Sequence, residues 1–118
     1  MRVYIPGSLE MLATWVENGQ VPASNEYFLA DDESEEAEYA AMEAAVFEAA
    51  DFLAVPGRRV VVVADAVPAG EPGNEHVAAV PINKILAVHV DTSDVDPDDD
   101  DLPELAWFAT QEIPDLLA

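Results

Sequence analysis

The chain has 118 residues, 51% of them hydrophobic, and sets 25 acidic side chains against four basic ones for a formal charge of -21. That apolar content excludes wholesale disorder at a length able to bury a core, while the charge repels phosphate backbones and anionic headgroups and argues against direct binding to nucleic acid or a membrane surface. Cysteine is absent, so thiol catalysis, disulfides and thiolate metal sites are excluded.

Met1 to Pro6 lacks the apolar core of a signal peptide, and no apolar run approaches the roughly 18 residues a spanning helix needs. The expected location is the cytoplasm. Residues 2 to 6 alternate as a short strand. Ser8 then stands where a helix N-cap belongs, and Leu9, Leu12, Ala13 and Val16 recur at helical spacing up to Asn18-Gly19, which predicts a first helix. Gln20 to Asn25 reads as a loop, and Tyr27 to Ala30 as a strand.

Asp31 to Glu36 places acids where a helix dipole welcomes them, so the run marks a helix entrance and not a metal cage. The helix behind it runs from about Ser34 to Ala54, with Tyr39, Met42, Val46, Ala49 and Leu53 on one side, and its alanines permit close approach to a sheet. Pro56-Gly57 ends it. Arg58 to Asp65 follows, and its unbroken valines predict a strand covered on both faces, central in its sheet.

Val67 to Asn74 is a loop by composition, and His76 to Val80 reads as a strand whose simplest pairing is a hairpin with the central one. Ile85 to Asp91 predicts another strand. Thr92 to Pro103 is dominated by aspartate and contains two prolines, a composition expected to bury nothing and to form a mobile acidic loop at about 92–103. Leu105 to Thr110 closes the sheet or covers it, and Gln111 to Leu117 forms a final short turn.

Few residues combine into a chemical motif. His89 and Asp91 share a strand face by their spacing, and Asp65, like Asp91, ends an apolar strand, the place where open α/β sheets collect ligands. The three are the weak candidates for a metal or a small ligand. A glycine-rich phosphate loop is missing, no cofactor is implied, and no catalytic set can be assembled. Tyr39 and Trp107 are assigned to the space between helix and sheet; as a binding surface they group with Glu38, Gln111 and Glu112.

The opening Met1-Arg2-Val3-Tyr4-Ile5-Pro6, the segment Glu38-Tyr39-Ala40-Ala41, the strand Ala87 to Asp91 and the close Trp107-Phe108-Ala109-Thr110-Gln111-Glu112-Ile113-Pro114 together resemble a family of short bacterial proteins of unknown function. This chain is short beside that family between Ala30 and Glu38 and between Asp91 and Leu105. The resemblance implies a bacterial cytoplasmic protein folded as one domain, and it supplies no activity.

The expectation is therefore one α+β domain over residues 1–118, with a mixed sheet of about five strands packed by two main helices. Its acidity either serves solubility or docks a basic protein partner, imitation of nucleic acid being the sharper form of docking. The leading function is non-catalytic binding of a macromolecular partner by a monomer or weak homodimer; the competing one is a small-ligand or metal-binding protein or enzyme using His89, Asp91 and Asp65.

Overall fold

A computed structural model describes residues 1–30 and 32–118; of the acidic run expected to open the long helix, Asp31 lies outside the described residues. The elements are β1 (Arg2–Ser8), α1 (Leu9–Asn18), β2 (Gln20–Val21), β3 (Phe28–Leu29), α2 (Glu35–Ala49), β4 (Arg59–Asp65), β5 (Val80–Pro81), β6 (Ile85–Val90), β7 (Ala106–Phe108) and α3 (Ile113–Leu116). The fold is α+β.

Caps set the helix bounds. The Ser8 hydroxyl accepts from the Met11 N–H at 3.2 Å, and Gly19, at φ 81°, returns its own N–H to the carbonyls of Trp15 and Val16, a left-handed stop that costs glycine least. Ser34 repeats the N-cap for α2 by accepting from Ala37 at 3.2 Å. Three acids, Glu35, Glu36 and Glu38, follow in its first turn. Beyond Ala49 the helix tightens into a 3₁₀ turn over Ala50–Phe52, short of the expected end at Ala54.

The main sheet has five strands in the order β3-β1-β4-β6-β7, with β4 in the middle. Every pairing is antiparallel, which corrects the expected mixed sheet. The valine run is buried on both faces because α1 and α3 lie over one and α2 over the other, not because parallel crossovers cover it. Val60 and Val62 join Val3, Ile5, Leu12, Trp15, Val88 and Ile113 in one core. Val61 and Val63 join Tyr4, Ala41, Ala45 and Ala87 in the second, under α2.

The expected hairpin between His76–Val80 and the central strand does not form. Val77 bridges Ser24, with backbone bonds of 2.9 and 2.8 Å, and Val80–Pro81 pairs with Gln20–Val21 as a separate ribbon. The place beside β4 goes to β6, a longer apolar strand whose Val88 and Val90 are fully buried. Among the described residues, no helix is long and apolar enough to cross a membrane.

Against the expectation that the aspartate-rich run buries nothing, Val95 is buried and exchanges backbone bonds with Gly57 at 3.0 and 2.7 Å. Arg58 Nε lies 3.6 Å from Asp94 Oδ1. The base of this acidic loop is thereby stitched to the turn that precedes β4.

Candidate functional site

α2 meets the sheet with only part of the face its periodicity suggests: Met42 and Val46 pack against the core and Ala49 is buried, whereas Tyr39 is exposed. Its buried stripe is Ala41, Ala45 and Ala49, spaced so that one narrow face rests on Val61 and Val63. Alanine in that stripe lets the axis come close; Met42 and Val46 pack at its margin, and Tyr39 and Phe47 are turned outward. Tyr39, Met42, Glu43, Val46 and Phe47 fall at i, i+3, i+4, i+7 and i+8, a second stripe that lines a groove of about 810 Å³.

The groove is the part of the α2 face of the sheet that the helix leaves uncovered. His89 of β6 contributes to its floor, and the segments Pro97–Asp100 and Leu102–Leu105 form the wall opposite α2. Trp107 pairs directly with His89 across β6 and β7, and opposed residues in an antiparallel pair project from the same face. The indole therefore stands beside the groove. Tyr39 is 62% exposed, Trp107 59% and Phe47 80%, which corrects the assignment of Tyr39 and Trp107 to the packed space between helix and sheet.

Acids ring this apolar surface. Glu43 and Asp51 stand on the helical side, and Asp98, Asp99, Asp100 and Glu104 on the loop side. Hydrogen bonding to Glu43 and the charges of Glu43 and Glu104 hold the Tyr39 phenol above its ordinary pKa, so carboxylates from both walls act at this ring. Burial pushes the His89 imidazole below its ordinary 6.5, which leaves it neutral at pH 7.

Under the loop wall lies a buried polar contact between two strands. Asp91 Oδ2 accepts from the Arg59 backbone N–H and from Nε, each at 2.8 Å, and Oδ1 accepts from Nη2 at 2.8 Å. Arg59 Nη2 also donates to the Pro103 carbonyl at 2.6 Å. Both side chains are buried, Arg59 4% and Asp91 0% exposed. A planar guanidinium suits such a forked contact.

That pair gives Asp91 a partner within the fold. Its carboxylate is occupied by Arg59 and closed off, so Asp91 is not free to serve a metal or a ligand together with His89. Asp65 is not near either of them. It opposes Arg2 at the far end of β4, about 20 Å from Arg59 along the strand. Antiparallel neighbours place the carboxyl ends of β4 and β6 at opposite ends of the sheet, so the ligand rule of parallel sheets has no purchase here. Among the described residues no group of three or more His, Cys, Asp or Glu side chains converges as a metal site.

The other expected binding residues are dispersed. Glu38 takes a 2.7 Å ion pair from Arg2. Gln111 and Glu112 lie on a 3₁₀ turn that docks at the start of β6, where Thr110 Oγ1 donates to the Ile85 carbonyl at 2.7 Å. The groove lies at the other end of that strand. Glu112 is turned back on the Ala109 N–H at 3.4 Å. Of the expected set, only Tyr39 lines the groove and Trp107 flanks it. Phe47, Glu43 and Glu104 join them unforeseen; the regular spacing of Ala41, Ala45 and Ala49 is the signal that could have exposed the Tyr39–Phe47 stripe.

A family model matches residues 1–117. The chain belongs to DUF6912, a family of unknown function. No curated protein and no solved structure matches it. DUF6912 brings no ligand or reaction with it, so the groove has to be read from its own side chains.

Proposed function

We propose that this chain is a non-catalytic binding protein and that the groove between α2, β6 and the loop wall receives a basic segment of a partner protein. The observation that carries this reading is the coincidence of exposed aromatic rings, in and beside one concavity, with the carboxylates that line it. Tyr39 and Phe47 supply apolar area from the helix, Trp107 from the edge strand, and Glu43, Asp98, Asp99 and Glu104 supply charge from both walls. Rings of this kind gain about 0.5–2 kcal/mol from a cation over their face, depending on how far water is excluded. The formal charge of -21 adds long-range attraction that speeds encounter with a basic surface and weakens as salt rises.

A peptide rich in Lys and Arg, titrated into isotopically labelled protein, tests the reading. The expected result is saturable shifts confined to Tyr39, Phe47, His89, Trp107 and their neighbours, weakened by salt and abolished in Glu43→Lys/Glu104→Lys. Shifts scattered over the acidic surface, or undiminished binding by the charge-reversed variant, would count against the groove.

A further inference from the structure

We propose that the groove selects arginine over lysine in the segment it binds. This rests on the groove being the binding site and says which side chain it recognises.

Carboxylates are spread over much of this surface, and a carboxylate in water does not by itself tell one cation from the other. Exposed ion pairs contribute little with either. Glu33, Glu35 and Glu36 at the exposed entrance to α2 offer only that. The groove adds flat apolar surface. Tyr39 lines the groove beside Glu43 and Glu104, and Trp107, opposite His89, flanks it, both rings exposed, so a cationic side chain entering there meets aromatic surface and carboxylates together.

Guanidinium suits both. It is planar, weakly hydrated and always charged, stacks on aromatic faces, and presents parallel N–H groups to a carboxylate. An ammonium is compact and strongly hydrated, and it has no flat face to offer the rings. Entering the groove strips its water for a smaller return.

Three of the four basic residues of the chain are arginines. Each ion pair among its described residues uses an arginine: Arg2 with Glu38, Arg58 with Asp94, Arg59 with Asp91. The last is a forked contact set directly beneath the loop wall, with Arg59 itself lining the groove. The groove is acidic and aromatic in composition, and its His89 is neutral at pH 7, so no cation of its own faces the entering one except the fully engaged Arg59.

Two peptides of equal length and charge, one alternating Arg with Gly and the other Lys with Gly, test this at about 0.15 M salt. The expected result is at least about tenfold tighter binding of the arginine peptide, a difference set by ring stacking and the forked carboxylate contact. In Trp107→Leu/Tyr39→Leu the two affinities should converge. Both side chains are exposed, so this variant keeps its fold, and a thermal melt confirms that. Equal affinities with shifts still mapped to the groove would overturn arginine selection and leave the groove as the site. An arginine preference that survives loss of both rings would overturn it as well. If neither peptide shifts groove resonances, the binding site itself is wrong and the selection falls with it.

Discussion

Asp91 and Arg59 join the end of β6 to the start of β4 through three contacts of 2.8 Å, one of them to the Arg59 backbone N–H. In the other direction the Asp91 N–H donates to the Arg59 carbonyl at 3.1 Å. The remaining Arg59 contact, to the Pro103 carbonyl, carries the link across to the loop wall of the groove. One buried pair thus holds two central strands in register and fixes the segment that faces α2.

Breaking it on one side should be costly. Asp91→Asn keeps the shape but leaves a buried guanidinium without a counter-charge, and removing one partner of a buried pair costs about 3–5 kcal/mol. Replacing both residues by apolar ones, Arg59→Met with Asp91→Leu, removes the charges together. It still strands the Arg59 N–H, at about 1–3 kcal/mol. The double variant should therefore be more stable than Asp91→Leu or Arg59→Met alone, measured as urea midpoints in a double-mutant cycle. Additive losses would mean that the two side chains act independently.

The alanine stripe makes a separate prediction. Ala45 is fully buried against Val61 and Val63, so Ala45→Leu forces methyl groups into a filled space at a cost of about 1–3 kcal/mol. Ala40→Leu, on the exposed side of the same helix, should stay within about 0.5 kcal/mol. Chemical denaturation of the two variants compares them directly. Were the helix seated through Tyr39 and not through the alanines, Ala45→Leu would be the harmless one.

These two features mark where the sequence was legible and where it was not. Ser8 and Gly19 bounded α1 because capping chemistry is local, and Val60 to Val63 named the central strand because a polar-free run needs cover on both faces. Tyr39 was misplaced for a physical reason: periodicity says which side chains share a helix face but not which of two apolar faces meets the sheet. Small size put the alanines at closest approach, with Met42 and Val46 packed beside them and Tyr39 left outside. The Arg59–Asp91 pair depends on strand register between residues 32 positions apart, which no local pattern encodes. Asp65 and Asp91 looked alike from sequence because both end strands, and only antiparallel order separates them. Trp107 was assigned to the interior because its neighbours are apolar; nothing in Leu105 to Thr110 tells an edge strand with one bare face from a covered one.

His89 gives the pH prediction. It is half-buried on the groove floor, and burial lowers its pKa from the ordinary 6.5. A histidine whose folded pKa lies below its unfolded value binds fewer protons when folded, so stability rises with pH through that interval and is lost as pH falls below 6.5. The sign is opposite to that of a histidine held by a carboxylate, although Glu43, Asp51, Asp98 and Glu104 line the same groove. Carboxylate protonation acts on the whole chain at lower pH, so the comparison has to be between the parent and His89→Gln, which keeps polarity without titrating. From pH 7 down to the folded pKa, the stability of the parent relative to the variant should fall, and then level off. Urea unfolding of both proteins across that range reads the difference. A difference that grows in favour of the parent on acidification would mean that the imidazolium is held by the groove acids, and that the desolvating contacts of the sheet face do not dominate at this position.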